Sequence, residues 1–564
     1  MQYIIFGAGN NAEKLIQWLI ANEFIIKYLV DNDKDKQGTR ISGFEIKSPE
    51  VLVEPSREQH ILISVSNKVI YGEIAEQLTN MGYMENKDFS NGLRLSKVSD
   101  PPSGKVSGYI KIPDVFSSVK SFDPASRLVK FKNEQRIFRL VNENYVAQYL
   151  EVYRICSENH LFGEYVIETC IVENTWQLPV KLILEHRFLE LISYSFEWSP
   201  AMFYDYVDFM LRMIARFAEC GMAFCDGHAL NATIADGKFI FIDFGAMKPG
   251  VTSGAVLLEF INTHIIPLIL MYRNQIPKAY LYLKNPGIEY TITDVQGYLD
   301  AKELSEIHAL NRSLMQINTS EDICGFINKL SDFIEGLKKY ELKTRWSGYQ
   351  NDEWNWSSNP DKWSQKMYHV MEMMESVYPE TVVDLAGNMG WYGSYRHEKL
   401  KYAVIMDYDH KCLDYLWQKI QSLRIQNVLP AYMSVCAPSL DYYRDDAINS
   451  AAIEPWRKGA VERFKSELVI ALAIVHHLAF AQQLTFAEIV SQFASFSSKY
   501  LIVEFIEQSD QYITDFLKEG FEWYTKENFI WELEKRFRIL DSRPSTPHET
   551  RTLYLCELED VNAE

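Results

Sequence analysis

The chain has 564 residues, enough for about three or four domains. Hydrophobic residues make up 47% and charged residues 24%, with 26 Gly and 19 Pro, which excludes a disordered or collagen-like chain. The net charge of −19 excludes bulk capture of a nucleic-acid backbone, because phosphate neutralisation needs a surplus of Lys and Arg.

In chain order, residues 2–6 form a short apolar strand with no basic stretch ahead of it, so the start is not expected to be a secretory leader. Gly7-Ala8-Gly9-Asn10-Asn11-Ala12 follows as GxGxxA, then an amphipathic helix from residue 13 to about 22. A second strand, residues 25–30, ends at Asp31, which lies 24 residues after Gly7. Glycines let the backbone approach a pyrophosphate at a helix N-terminus, and an acid after the second strand takes ribose hydroxyls. Gly7, Gly9 and Asp31 are therefore candidate nucleotide-binding residues. A third strand is expected at residues 60–65. This first segment, residues 1–96, has half the length of a full dinucleotide fold, and no hydride-transfer site accompanies it.

Val30-Asp31-Asn32 and the run Ile41-Ser42-Gly43-Phe44-Glu45-Ile46-Lys47-Ser48-Pro49 resemble the small Rossmann-like N-terminal domain of bacterial sugar-modifying enzymes. The resemblance implies a nucleotide or nucleotide-sugar pocket. A scaffold that keeps the glycine turn only for packing is the open alternative. Residues 96–108, polar and rich in Pro and Gly, are expected to be a linker.

The middle segment, residues 105–342, is expected to be α+β. A helix over residues 203–220 ends at Gly221. Cys225-Asp226-Gly227-His228-Ala229-Leu230-Asn231 comes next, then a hairpin over residues 233–242 turning at Asp236-Gly237, then Asp243-Phe244-Gly245. This D-x-x-x-x-N, hairpin, D-F-G layout resembles protein kinases. The resemblance implies Asp226 as base, with Asn231 and Asp243 as metal ligands for Mg-ATP. Cys225 stands where kinases carry Arg, and no glycine-rich loop precedes it. Lys130, Lys132 and Arg139 are the candidates for the phosphate-pairing cation. A working phosphotransferase and a degenerate kinase-like module both remain open. Residues 255–272 are apolar, but Glu259, Asn262, His264 and Pro267 interrupt them, which predicts a buried or amphipathic helix rather than a bilayer span.

The third segment, residues 343–564, opens on four tryptophans, Trp346, Trp354, Trp356 and Trp363, which either cover a ligand, stack on sugar rings or pack between domains. A strand at residues 381–383 leads into Asp384-Leu385-Ala386-Gly387-Asn388-Met389-Gly390 and a helix. A second strand, residues 402–406, ends at Asp407, 23 residues beyond Asp384. Further strands are expected at residues 428–432, leading to Ser434, at 467–475 and at 500–505, with a closing hairpin of 537–541 and 550–556.

This order resembles the class I S-adenosylmethionine-dependent methyltransferases, with their seven-stranded Rossmann-like sheet. The resemblance implies that Asp384, Gly387, Asn388, Gly390, Asp407 and Ser434 hold the cofactor. Ala386 replaces the usual first glycine, and Ser434 replaces the usual adenine-facing acid. Ile474-Val475-His476-His477-Leu478 and the upstream Trp456, Arg457 and Phe464 narrow it further. With Ile192-Ser193-Tyr194-Ser195-Phe196-Glu197-Trp198, they resemble bacterial methyltransferases of the nodulation and surface-polysaccharide type. An oxygen nucleophile needs a base near neutral pH, so His476 or His477 is a candidate base or substrate orienter, with packing as the alternative role. Glu504 is a second polar candidate, and two adjacent histidines are not expected to bind a metal.

Together these features imply an α/β protein of three parts: small Rossmann-like, kinase-like, and seven-stranded methyltransferase. The expected act is methyl transfer to an oxygen of a glycan, glycolipid or nucleotide-linked sugar. A kinase-methyltransferase that first phosphorylates a glycan end is the bolder variant. A non-catalytic ligand-sensing assembly protein is the rival. Nucleic acid is not expected as a partner, since an N/D-P-P-(Y/F) motif is absent after the fourth strand. Eight scattered cysteines with no CxxC suit a reducing cytoplasm, with peripheral association with polysaccharide machinery as the expected membrane link.

Overall fold

The computed structural model describes residues 2–21, 25–41, 44–52, 59–65, 67–84, 88–92, 116–119, 125–132, 134–284, 290–339, 344–347, 361, 363–439, 458–513, 520–546 and 550–559. The linker expected at 96–108 and residues Trp354, Trp356, Trp456 and Arg457 lie outside the described residues. Two compact units form: Met1–Arg154 with Glu168–Phe188, and Ile155–Ile167 with Leu189–Asp441 and Lys458–Glu564. These units cut across the three sequence segments. The middle segment is shared between them, and its larger part folds with the third.

The first unit holds two sheets. Strands β1 (Gln2–Phe6), β2 (Ile25–Val30), β3 (Arg40–Ile41), β4 (Phe44–Lys47), β5 (Gln59–Ile63) and β6 (Phe89–Asn91) form one in the order β3-β4-β2-β1-β5-β6. Alternation along β1 sends Ile5 to one face, against Ala12, Leu15 and Leu19 of the helix Asn10–Ala21. Ile4 and Phe6 go to the other face, against Ile74 and Leu78 of the helix Lys68–Asn80. Coverage on both faces is why these short strands are almost wholly apolar. The helix expected from residue 13 starts three residues earlier, directly on the glycine turn.

The second sheet is antiparallel: β7 (Phe116–Val119), β8 (Ser126–Phe131), β9 (Ile137–Val141), β10 (Thr169–Val172) and β11 (Leu182–His186), in the order β10-β11-β9-β8-β7. Val129, Phe138, Leu140 and Ile183 form its core.

In the second unit, the helix Pro200–Glu219 buries Phe203, Tyr206, Met210, Met213, Ile214 and Phe217 along one face. Strands β12 (Met222–Phe224) and β15 (Met247–Pro249) pair, and between them β13 (Ala232–Ala235) and β14 (Lys238–Phe241) form the expected hairpin. Asp236 and Gly237 both have positive φ, at 51° and 72°, the requirement of a two-residue type I′ turn. The apolar stretch after them is helical from Gly254–Phe260 through a π-turn at Ile261–Ile265 to Ile266–Tyr272. It lies inside this unit, with Leu257, Phe260, Ile261, Ile265 and Leu268 fully buried.

The remaining strands are β16 (Thr381–Leu385), β17 (Tyr402–Asp407), β18 (Val428–Tyr432), β19 (Ser466–Ala471), β20 (Ser497–Ile506), β21 (Phe537–Pro544) and β22 (Arg551–Leu558). They form one sheet in the order β18-β17-β16-β19-β20-β22-β21. This is the doubly wound order with an antiparallel strand, β22, inserted before the edge. The strand expected at 467–475 is shorter: it ends at Ala471, Ala473 turns with φ 51°, and Val475–Phe480 is helical. An apolar run serves a buried strand and a buried helix equally well, so its periodicity does not mark the junction.

The two halves of this unit are joined by polar as well as apolar contacts. Trp417 Nε1 donates to Asp205 Oδ2 at 2.7 Å, and Ala201 N donates to Asp414 Oδ1 at 2.8 Å. Glu197 and Arg463 form a buried ion pair, with Arg463 also donating to the carbonyls of Ile192 and Lys458. The Ser193–Trp198 stretch is thereby a structural joint to the helix Ala460–Phe464.

Candidate active site

In a doubly wound sheet the ligand crevice opens at the carboxyl ends of the strands where the winding reverses. Here that point lies between β16 and β19. Asp384 ends β16 with Leu385, the loop after it carries Ala386 to Gly390, and the helix after β19 carries His476 and His477.

Asp384 is buried, and its Oδ2 accepts Gly393 N at 3.0 Å. Gly387 packs so closely that a Cβ would lie 2.7 Å from Asp384 Cγ and 2.8 Å from Ile405 Cγ2. Its N–H donates to Met406 O at 3.0 Å, which ties the loop to β17. Ala386 and Asn388 are left-handed at φ 60° and 54°, so the turn forms despite the missing first glycine. Asp407, at the end of β17, accepts Asn388 N on Oδ2 at 2.7 Å and Asp409 N on Oδ1 at 2.8 Å. Gly390 caps the short helix Trp391–Ser394.

Burial pushes Asp384 up to about 7 and Asp407 up to about 6. A neighbouring carboxylate adds to each, Asp407 for Asp384 and Asp409 for Asp407. Among the described residues neither forms an ion pair with a Lys or Arg. Two buried carboxylates beside a glycine turn, with no protein cation paired to them, fit a ligand that brings positive charge and hydroxyl donors. S-adenosylmethionine has that chemistry: an ammonium, a sulfonium and two ribose hydroxyls. The residues present therefore fit it, with Asp384 and the Gly387 turn at one end and Asp407 at the other.

Ser434 is half-buried just past β18, where its Oγ accepts Cys436 N at 3.2 Å. His476 is buried and its imidazole is pushed down to about 3, by burial first and by His477 and Arg551 after it. His477 is more open, with its pKa lowered by burial and then by Arg345. The two rings lie 4.1 Å apart. Of the two, His476 is the more deeply buried and the more strongly depressed.

Glu504 is fully buried with Lys366 Nζ at 2.5 Å, Ala473 N at 2.9 Å and a hydrogen bond from Ser545. Burial would raise its carboxyl, and the Lys366 pair outweighs that and holds it below its ordinary value. It braces the turn after β19 rather than facing the crevice as an available base. Motif reading misses Asp409. It caps the helix His410–Leu423 and also holds Thr344 and Trp346, and its signal is the second acid of Asp407-Tyr408-Asp409 directly before a helix.

Elsewhere in this unit, Ile242 N donates to Asn231 O at 2.9 Å, and Cys225 N donates to Ala246 O at 2.9 Å. These bonds bring Asp226, Asn231 and Asp243 to one junction. Asp226 Oδ1 accepts His228 N at 3.1 Å, Asp243 Oδ1 accepts Gly245 N at 3.0 Å, and Asn231 Nδ2 is buried without a hydrogen-bond partner among the described residues. In the first unit, Arg139 is buried on β9 against His186 and Ser126, Lys130 lies over the Phe188 ring, and Lys132 is exposed.

In the N-terminal sheet the winding reverses between β1 and β5. Gly7 has φ 101°, and a Cβ there would meet Val65 Cγ2 at 2.9 Å, whereas Gly9 faces open space. Asp31 Oδ2 accepts Ala8 N at 2.6 Å and lies 3.4 Å from Lys36 Nζ, while Oδ1 accepts Asp33 N at 2.8 Å. Among the described residues, three of the roughly four acceptor positions of this carboxylate are taken.

A family model described as C2185-like, N-terminal matches residues 1–89. The chain is 24% identical over 473 residues to nodulation protein NoeA of Rhizobium meliloti (strain 1021), covering 77% of this chain and 94% of that protein. Among solved structures, N-methyltransferase NodS from Bradyrhizobium japonicum WM9 is 10% identical, covering 37% of this chain and 94% of that one, with a TM-score of 0.28. Magnesium protoporphyrin IX methyltransferase ChlM from Synechocystis PCC 6803 is 10% identical, covering 39% of this chain and 87% of that one, with a TM-score of 0.26. WbdD is 13% identical, covering 34% of this chain and 39% of that one, with a TM-score of 0.24.

Proposed function

We propose that the chain is an S-adenosylmethionine-dependent methyltransferase that acts on an oxygen of a glycan, glycolipid or nucleotide-linked sugar. One observation carries the reading: Asp384 and Asp407, buried and with no ion-pair partner among the described residues, flank a left-handed glycine turn at the reversal point of a doubly wound sheet. The cofactor supplies a methyl group on a sulfonium, an electrophile that needs alignment and exclusion of water. Asp407 orients the ribose end, the Asp384 turn receives the amino-acid end, and His477 takes the proton of the acceptor hydroxyl. The glycan part rests on the resemblance of the N-terminal segment to sugar-modifying enzymes and of the third segment to polysaccharide-associated methyltransferases. The N-terminal domain binds a nucleotide or nucleotide-sugar by itself, and contact with polysaccharide machinery in the cytoplasm completes the reading.

The test is calorimetric titration of S-adenosylmethionine into the purified chain and its Asp384→Ala variant, followed by methyl transfer to a crude glycan fraction. Binding lost in the variant and turnover with acceptor support the proposal. A folded chain that binds no cofactor overturns it and favours the assembly protein.

A second reading adds phosphorylation of the acceptor, favoured by the junction of Asp226, Asn231 and Asp243 and the buried amide of Asn231. Asn231 and Asp243 would hold magnesium and Asp226 would position the hydroxyl. Mg-ATP binding that is lost in Asp243→Ala while S-adenosylmethionine binding persists would support it.

A further inference from the structure

We propose that Trp346 is a cofactor-binding residue, held across the mouth of the methyltransferase crevice by Asp409. The inference rests on the methyltransferase reading above and extends it to a segment that precedes the glycine loop by about forty residues.

Residues 344–347 are bolted at one end. Thr344 Oγ1 donates to Asp409 Oδ1 at 2.7 Å, and Trp346 N donates to Asp409 Oδ2 at 3.2 Å. Asp409 is itself buried and fixed, because it caps a helix and its N–H donates to Asp407 Oδ1. The anchor is therefore two residues from the carboxylate assigned to the ribose. At the other end the indole lies edge-on to His477, with ring centroids 5.3 Å apart and planes at 74°. The guanidinium of Arg345 lies 4.9 Å from the indole centroid.

Sheet order turns these contacts into a bridge. Tyr408 and Asp409 follow β17, His477 follows β19, and β16 lies between those strands with the Asp384 turn on its end. Adjacent strands are about 4.8 Å apart, so the contacts to Asp409 and His477 span roughly two strand spacings, from the end of β17 to that of β19. The indole is only partly buried, and its Nε1 donates to Tyr408 OH at a long 3.4 Å. An aromatic face beside a sulfonium attracts it as a cation.

Two variants separate the ring from its anchor. Trp346→Ala removes the ring, and Trp346→Phe keeps an aromatic face. Asp409→Asn keeps a good helix cap but can place an amide N–H against Trp346 N–H. We would measure dissociation constants of S-adenosylhomocysteine and S-adenosylmethionine by calorimetry, and hydrogen exchange of residues 344–347 with and without S-adenosylhomocysteine. Expected are about tenfold weaker binding in Trp346→Ala, a change of less than about threefold in Trp346→Phe, and a larger loss for the sulfonium than for the thioether. Asp409→Asn should lose the protection of 344–347 while its melting temperature holds. Wild-type binding with equal affinity in Trp346→Ala and no added protection overturns the proposal and leaves the methyltransferase reading standing. No binding by the wild-type chain overturns both.

Discussion

The backbone amide of Asn388 donates to Oδ2 of Asp407 at 2.7 Å, so the glycine turn after β16 and the acid ending β17 are one construction. Asp384 holds the short helix that follows the turn by accepting Gly393 N on Oδ2. Substitutions at the turn should therefore report on its two carboxylates.

Asp384 and Asp407 are raised by burial to about 7 and about 6 from an ordinary value near 3.8. A folded acid that holds its proton more tightly than the unfolded one contributes stability below about pH 4, and this is lost as pH rises through 6 and 7. The stability of the ligand-free chain relative to Asp384→Asn should fall between about pH 4.5 and pH 7.5, by at most about 1.4 kcal/mol for each pH step of one. A difference that stays flat in urea unfolding at those two pH values would refute the burial argument. Cofactor binding near pH 6.5 should also release protons, seen as calorimetric heats that change with buffer ionisation enthalpy.

Gly387→Ala would drive a Cβ to 2.7 Å from Asp384 Cγ and 2.8 Å from Ile405 Cγ2. Overpacking of this kind costs about 1–3 kcal/mol. The variant should melt lower and bind S-adenosylmethionine at least tenfold more weakly, by about the free energy needed to displace the turn. Unchanged affinity would mean that the loop does not carry the cofactor.

His477 is held below its ordinary value by burial and by Arg345. The acid limb of kcat/KM should therefore lie below pH 6.5. Arg345→Met should move it upward, and His477→Gln should abolish it with a loss of about 10²–10⁴-fold in kcat. A limb that ignores Arg345→Met would assign the base elsewhere. His476, pushed down to about 3, should leave the profile in place when changed to Asn.

Glu197 and Arg463 are 3% exposed or less at their side chains, and Arg463 Nη1 donates to Glu197 Oε2 at 3.0 Å. Removing one partner of such a pair strands the other, at a cost of about 3–5 kcal/mol. Glu197→Gln and Arg463→Met should each lower the denaturant midpoint sharply, and the double variant should cost less than their sum. Strict additivity would show that the two charges act separately.

Local signals are the legible ones. The Asp384 to Gly390 loop and Asp407 stand out because a turn and an acid a fixed distance apart need only one strand and one helix between them. The Asp236-Gly237 hairpin is equally plain, since few dipeptides tolerate two positive φ angles. The run of residues 467–475 is not, because burial demands apolar side chains of a strand and a helix alike, and the change at Ala473 lies in the backbone. Lys366 gives no sign of its pairing with Glu504, 138 residues away. Nor does the spacing of Asp31 disclose that its carboxylate already holds Ala8 N. Tertiary contacts of this kind leave no periodic trace.

Glu197 precedes Arg463 by 266 residues. At a translation rate of about 5–20 residues per second, the acid is made roughly 13 to 53 seconds before its counter-ion. For that interval the helix Pro200–Glu219 and its neighbours must wait with a carboxylate where the finished molecule has a dry joint. The nascent chain thus passes through an interval in which this carboxylate has no counter-ion, and the rate of elongation sets how long that interval lasts.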